Sequence, residues 1–158
     1  NDFYTSSAFW SDIDANTFGL TSSDSLYNQT STTYVAYCWT SIENHSLIGS
    51  YTGTGTTSGL NIYTGFKPSW IMIKCTSTAG TNWPIFDNKR KTFNPNDKLL
   101  LADRNLTEQT FGDIDFTAQG FKIRTTNNSA NDSGETYIYM AFAESPFVTS
   151  TGIPTTAR

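Results

Sequence analysis

The sequence predicts an all-β protein, an antiparallel β-sandwich of the jelly-roll type built on a repeated unit of about 103 residues. Apolar residues recur with a period of two and not of 3.6, which is the pattern of strands. Clusters of Gly, Pro, Asn, Asp and Ser separate the apolar runs, as turns between strands do. Part of the sequence also occurs twice, and this repetition defines the size of the folding unit.

Ten short segments carry the strand pattern, and Lys, Leu and Glu are too sparse for long amphipathic helices. The clearest are 70–75 and 136–143, which are rich in β-branched and aromatic residues and follow turn-forming clusters. Because 137–143 is apolar on both faces, we expect it in the interior of a sheet. Residues 50–59 are rich in Gly, Thr and Ser and indicate a hairpin or an exposed loop. In chain order the predicted strands are 18–22, 33–39, 48–52, 60–63, 70–75, 83–87, 98–101, 113–117, 120–125 and 136–143.

The repeat relates the first part of the chain to the last third. Residues 12–14 recur as 113–115, 18–20 as 121–123, and 33–39 as 136–142, with offsets of 101 residues for the first pair and 103 for the others. The stretch 46–110 occurs only once. We therefore predict that residues 1–45 are the second half of a preceding unit, that 46–146 form a complete unit, and that 147–158 form an irregular tail.

The incomplete first unit predicts an assembly. No strands matching 46–110 stand before residues 1–45, so we expect the chain to be a processed product or the C-terminal part of a longer one. An open sheet edge is prone to pair with another chain. We therefore expect this edge to be covered by a preceding segment or by another subunit in a homo-oligomer.

Composition argues against two classes of partner. Charged residues make up 15% of the chain, the net charge is −4 and the pI is near 4.8, so nucleic-acid binding is not expected. No run of about 18 apolar residues predicts membrane insertion. The basic run 89–91 lies beside Asp87, Asp97 and Asp103 and is interpreted as a solvated loop, with Asp87 and Arg90 forming a local ion pair or loop staple.

Two pairs of Asp residues, at 12 and 14 and at 113 and 115, each with one Ile between them, are the only candidates for a metal site. In an extended segment both carboxylates of each pair share one face, where they can bind Ca²⁺ or act as a glycosidase pair. The alternative is that the intervening Ile points inward while the Asp side chains face water or cap a turn. His45 is the only histidine and has no recognisable nucleophile beside it, so we predict no enzymatic activity and no cofactor other than calcium. The calcium candidates are Asp12, Asp14, Asp113 and Asp115.

Aromatic residues, at 15% of the chain, supply candidates for surface or glycan contact. Trp10 and Trp39 match Phe111 and Phe142 in the repeat, so both are expected in the core. Loops carry function on a rigid sandwich, so 50–59 and 77–82 are the expected contact loops. The candidate contact residues are Tyr51, Tyr63, Trp70 and Trp83.

Several strings together resemble one known family. They are residues 49–55, residues 63–74, Asp87 with Arg90 and Asn94-Pro95, residues 120–125, and residues 134–144. The set resembles the repeated β-domains near the C-terminus of structural proteins of tailed bacteriophages, especially marine and cyanobacterial phages. The resemblance covers nearly the whole chain from Phe18 to Arg158.

The resemblance implies a setting in the virion and supplies no catalytic or binding motif. It implies a non-enzymatic structural protein, in the first place a tail-fibre or appendage module that contributes to host attachment. It also implies partners: copies of the chain, trimeric as in phage fibres, other virion proteins and a host-surface glycan. The alternatives are capsid decoration or a head fibre on the same particle and, in another class, a carbohydrate-binding module of a secreted enzyme.

Overall fold

Ten strands and no helix make up the regular structure of the described residues. The structure, a computed structural model, describes residues 14–20 and 27–145 and the backbone of 10–11. The predicted all-β class with antiparallel strands is confirmed. Within these ranges no helix is long and apolar enough to cross a membrane.

The observed strands follow the period-two pattern closely. Every predicted strand except 33–39 has a counterpart, and the observed bounds lie within four residues of the predicted ones. The strands are β1 (Trp10–Ser11), β2 (Gly19–Leu20), β3 (Ser46–Thr52), β4 (Leu60–Tyr63), β5 (Pro68–Cys75), β6 (Pro84–Asp87), β7 (Asn96–Leu101), β8 (Gln109–Thr117), β9 (Gly120–Ile123) and β10 (Thr136–Ala143).

The chain divides into two units, residues 2–38 and residues 39–158. In the first unit, β1 and β2 form a short antiparallel ladder. In the second, eight strands form one antiparallel sheet in the order β3-β10-β5-β6-β7-β8-β9-β4. This single sheet is nearly closed, so it resembles a barrel more than the two separate sheets of a sandwich. Strands β3 and β4 are consecutive in the chain yet lie at opposite edges of the sheet.

The core lies on the inner face of this sheet. Side chains alternate along each strand, so one set from every strand points inward. In β10 the inward set begins with Tyr137 and Tyr139, which face Cys75 and Ile73 of β5. The buried apolar residues are Phe66, Ile71, Ile73, Cys75, Phe86, Leu99, Leu101, Ile114, Phe116, Phe121, Ile123, Ala130, Tyr137, Tyr139, Ala141 and Ala143.

Strand β10 lies between β3 and β5, as its two apolar faces predict. Its outward set includes Met140, which stands opposite Ile48 of β3 and Met72 of β5. The same row continues through Ile85 to Leu100 on the next two strands. All five side chains are half-buried.

The predicted strand at 33–39 is wrong. These residues form no strand; Tyr34 is 39% exposed, whereas its counterpart Tyr137 is fully buried in β10. Trp39, expected in the core, is 56% exposed. The reason is that segment 33–39 has no strands to pair with. Both strands that flank β10 come from the stretch 46–110. That stretch occurs once, and its strands already pair with β10.

Candidate functional site

The loop between β6 and β7 borders a polar pocket of about 290 Å³. The pocket brings together the start of β5, this loop and the residue that follows β10. We name it the loop pocket. The side chains that matter for its chemistry are Lys67, Asn88, Lys89, Lys91, Phe93 and Glu144.

Three side chains hold the loop in a fixed conformation. The Asp87 carboxylate accepts the backbone N–H groups of Lys89 (2.9 Å) and Arg90 (2.8 Å) and pairs with the Arg90 guanidinium at 2.8 Å. The Asn94 amide exchanges two hydrogen bonds with the backbone of Phe116 (2.8 and 2.9 Å). Fully buried Asn96 donates to the Asp87 carbonyl at 2.8 Å. The predicted Asp87–Arg90 staple is thereby confirmed, and the pocket is preorganised.

A carboxylate bridges two parts of the pocket. One oxygen of Glu144 is 2.6 Å from the Lys67 ammonium, and the other accepts a hydrogen bond from the Asn88 amide at 2.8 Å. The hydrogen bond from Lys67 lowers the pKa of Glu144 below its ordinary value, and Asn88 and Lys89 act in the same direction. Glu144 is therefore ionised at neutral pH and connects Lys67 to Asn88 in the lining of the pocket.

Lys91 and Phe93 of the loop place a cation beside an aromatic ring in the pocket. The Lys91 ammonium is 2.8 Å from an oxygen of Asp97, and this hydrogen bond lowers the pKa of Asp97. The same ammonium lies 5.2 Å from the ring centroid of Phe93, within the range of a cation–π contact. Phe93 is 69% exposed, and Lys89 is also exposed. Three ammonium groups and one carboxylate thus line the loop pocket, which can bind a polar ligand but holds no nucleophile with a base beside it.

In the carboxylate pair on β8, Asp115 has a protein partner. Ile114 points into the core, and Asp113 and Asp115 lie half-buried on the opposite face, as the alternation predicts. Asp115 pairs with the Arg124 guanidinium at 3.1 Å. Among the residues that the structure describes, no group of three His, Cys, Asp or Glu side chains could hold a metal ion.

Asp14, of the other carboxylate pair, lies at a turn. Asp14 accepts the backbone N–H groups of Asn16 and Thr17, both at 2.7 Å, and the Thr17 hydroxyl at 2.9 Å. The hydrogen bond from the Asn16 N–H is the largest of the causes that lower the pKa of Asp14. Asp14 therefore stabilises a turn, which was the alternative to calcium binding. Asp12 lies outside the described residues.

The four candidate aromatic residues do not form one platform. Tyr51 packs against the core with its ring 5.0 Å from that of Tyr137, and it donates a hydrogen bond to the Ala130 carbonyl at 2.6 Å. Trp70 lies on the outer face beside Phe142. Tyr63 is 73% exposed on β4, at the edge of the sheet opposite to β3. Trp83 precedes β6, where the Lys74 ammonium lies 5.7 Å from its ring.

One family model matches residues 1–146, and its description is a domain of unknown function, DUF7483. The chain belongs to this family. Neither the curated proteins nor the solved structures include one that matches this DUF7483 chain.

Sequence reasoning missed the loop pocket. The sequence predicts a solvated loop at the basic run 89–91. In the structure Arg90 pairs with Asp87 and Glu108, whereas Lys89 and Lys91 line the pocket. The expected contact loops 50–59 and 77–82 do not line the pocket. His45 is half-buried with its ring 6.3 Å from that of Phe142.

Proposed function

We propose that this chain is a non-enzymatic structural module of a phage virion, in a tail fibre or related appendage, that contacts host-surface glycans through the loop pocket. One observation carries the contact: a loop fixed by side-chain hydrogen bonds places two lysines and an exposed phenylalanine, together with Lys67 before β5, around an open polar pocket. The virion setting is supported by the resemblance of the sequence strings to phage β-domains.

Preorganisation favours binding at this loop. Ligand affinity is lost when a loop must become ordered on binding, and side-chain hydrogen bonds already fix this loop. The surface is rich in hydroxyl and amide groups and poor in charge. Such a surface suits weak contacts with sugars, which repeated copies on one particle convert into strong attachment through avidity.

The position on the particle is tested by electron microscopy with gold-labelled antibody against this chain. Labelling of the tail or its fibres is the expected result. Labelling of the capsid shell and never of the tail would replace the attachment role by capsid decoration. Absence of label from every particle would point to the remaining alternative, a carbohydrate-binding module of a secreted enzyme.

The role of the loop pocket is tested by binding of the purified protein to host cells. We expect the double variant Lys89→Gln/Phe93→Ala to bind severalfold less than the unmodified chain. The matched control is Lys98→Gln/Leu106→Ala, which removes one exposed charge and one exposed apolar side chain away from the pocket. Equal binding of both double variants would show that attachment uses another surface.

A further inference from the structure

We infer that the loop pocket takes a saccharide bearing an anionic group, with the anion on Lys89, a hydroxyl on Asn88 and a sugar face on Phe93. The inference rests on the proposed function and deepens it, because it names the chemical class of the ligand. An anion of this kind is a carboxylate or a phosphate, and the two are separated below by experiment.

The charges of the pocket differ from those of the whole chain. The chain carries a net charge of −4, yet three ammonium groups and one carboxylate line the pocket. Lys67 and Lys91 are engaged by Glu144 and Asp97. No ion pair joins Lys89 to an acidic side chain in the described part of the chain, and Lys89 is exposed. Its ammonium is thus available to an incoming anion, at little cost in lost internal contacts.

A buried acceptor in the pocket calls for a hydroxyl donor. The amide nitrogen of Asn88 donates to Glu144, but its Oδ1 atom is buried and has no hydrogen-bond partner among the described residues. Buried polar atoms are nearly always satisfied in native proteins, so such an atom beside a pocket is informative. With the Asn88 side chain turned toward the pocket, a saccharide hydroxyl can donate to this oxygen and can also accept from a neighbouring ammonium.

Phe93 supplies the apolar surface that a sugar ring needs. Its side chain is 69% exposed although it borders a polar pocket, and the Lys91 ammonium 5.2 Å from its centroid keeps a cation beside the ring. The C–H face of a pyranose packs on such a ring while its polar groups reach the amide and the ammonium. A volume of about 290 Å³ is at the lower end of ligand sites, which suits one or two sugar residues.

The test compares galactose-based ligands that carry a carboxylate, a hydroxymethyl group or a phosphate at C6. Titration calorimetry of the full chain would use trigalacturonate, neutral galactotriose and galactose 6-phosphate. We expect trigalacturonate to bind at least about tenfold more tightly than galactotriose, since a charged hydrogen bond replaces a neutral one. Binding of galactose 6-phosphate in its place would assign a phosphate as the anion. Raising the salt concentration is expected to weaken binding of the anionic ligand.

Two variants and a control connect the binding to named atoms. Lys89→Gln is expected to weaken trigalacturonate binding about tenfold and to leave galactotriose binding unchanged. Phe93→Ala is expected to weaken binding of both ligands severalfold. Lys98→Gln removes the same charge on β7 and is expected to change neither. The melting temperature of each variant confirms that it is folded.

Contrary outcomes separate this inference from the proposed function. Equal affinity for galactotriose and trigalacturonate, both lowered by Phe93→Ala, would overturn the anionic ligand and leave the glycan pocket intact. Binding of trigalacturonate that Lys89→Gln and Lys98→Gln weaken equally would overturn the assignment to Lys89. Absence of binding to all three ligands would overturn the inference, while loss of cell attachment in Lys89→Gln/Phe93→Ala would still support the proposed function.

Discussion

Asn131 is fully buried, and its side chain joins two connecting segments of the larger unit. The carbonyl oxygen accepts the backbone N–H of Thr54 at 2.8 Å. The amide nitrogen donates to the carbonyl oxygens of Thr56 (3.0 Å) and Thr125 (2.7 Å). One side chain therefore ties the connection between β3 and β4 to the segment that follows β9, and no other residue type of this size offers both donors and the acceptor.

Replacement of Asn131 by Ala is expected to lower the free energy of unfolding by about 2 to 4 kcal/mol, because three backbone groups lose their partner. Urea denaturation measures the change. The matched control is Asn105→Ala, whose exposed side chain should matter by no more than about 0.5 kcal/mol. Similar unfolding midpoints for both variants would contradict a structural role for Asn131.

Buried tyrosines predict a loss of stability at alkaline pH. Burial raises the pKa of Tyr51, Tyr137 and Tyr139 above the ordinary value near 10. Above pH 10 the unfolded chain loses phenolic protons that the folded chain keeps, so stability falls as the pH rises. Each such group contributes a slope of about 1.4 kcal/mol per pH unit.

Tyr139→Phe keeps the ring and removes one of these ionisable groups. We expect the free energy of unfolding of this variant to fall less steeply above about pH 10 than that of the unmodified chain. Urea denaturation at several pH values measures it. Tyr63→Phe is the control, because Tyr63 is 73% exposed, and its slope should match that of the unmodified chain. A Tyr139→Phe slope equal to the control would refute the assignment.

At the scale of elements, the end of β3 continues into contacts with the segment before β10. The N–H of Gly53 donates to the Glu135 carbonyl at 2.8 Å, and the N–H of Gly134 donates to the Gly53 carbonyl at 3.0 Å. This close approach of two backbones requires glycine, since a Cβ atom at position 53 would collide with the carbonyl oxygen of Asp132. The contact thus extends the pairing of β3 with β10 beyond the ends of the two strands.

Gly53→Ala is therefore expected to destabilise the protein by about 3 kcal/mol or more, because backbone must move and two hydrogen bonds are strained. Gly80→Ala is the matched comparison. Gly80 has φ +75 with open space around it, so its substitution costs only the strain of that conformation, about 1 to 2 kcal/mol. Thermal melting of both variants shows which one loses more stability. A smaller loss of stability for Gly53→Ala than for Gly80→Ala would disprove this explanation.

At the scale of the whole molecule, the eight-stranded sheet and its core lie between Ser46 and Ala143. The segment before them exposes apolar side chains, with Val35 and Tyr37 at 75% and 76%. Exposed apolar segments favour association with another chain. The folding unit and the segment that we expect to associate are thus distinct stretches of the sequence.

A chain of residues 40–158 is expected to keep a cooperative thermal transition within a few degrees of that of the full chain. By analytical ultracentrifugation we expect the full chain to sediment as a homo-oligomer and the shortened chain as a monomer. A full chain that sediments as a stable, well-folded monomer of 17.5 kDa would contradict the predicted assembly.

Local signals predicted much of the fold. The strands at 70–75 and 136–143 followed from alternation and flanking turns, and the Asp87–Arg90 staple from a spacing of three residues. The order of the strands in the sheet could not be predicted from these local signals, because several strands pair with partners that are far apart in the chain. Segment 33–39 carries the pattern of β10 but forms no strand, so neighbours and not pattern decide whether a strand forms.

The site was less predictable than the fold. Lys67, Asn88 and Glu144 come from three separate parts of the chain, and only the pairing of β10, β5 and β6 as neighbours in the sheet brings them to one pocket. The basic run 89–91 was the one local sign. Its pattern in sequence does not distinguish lysines that line a pocket from lysines that face bulk water, since that difference depends on Phe116 and Glu144 being packed nearby.

The central position of β10 has a consequence for synthesis on the ribosome. β10 is the last strand of the sheet, and it pairs with β3 and β5 across more than sixty residues. Such a high contact order slows folding into the range of milliseconds to seconds. Until β10 has left the ribosome, β3 and β5 lack the strand that pairs with both, so their open edges can pair with other chains and favour aggregation.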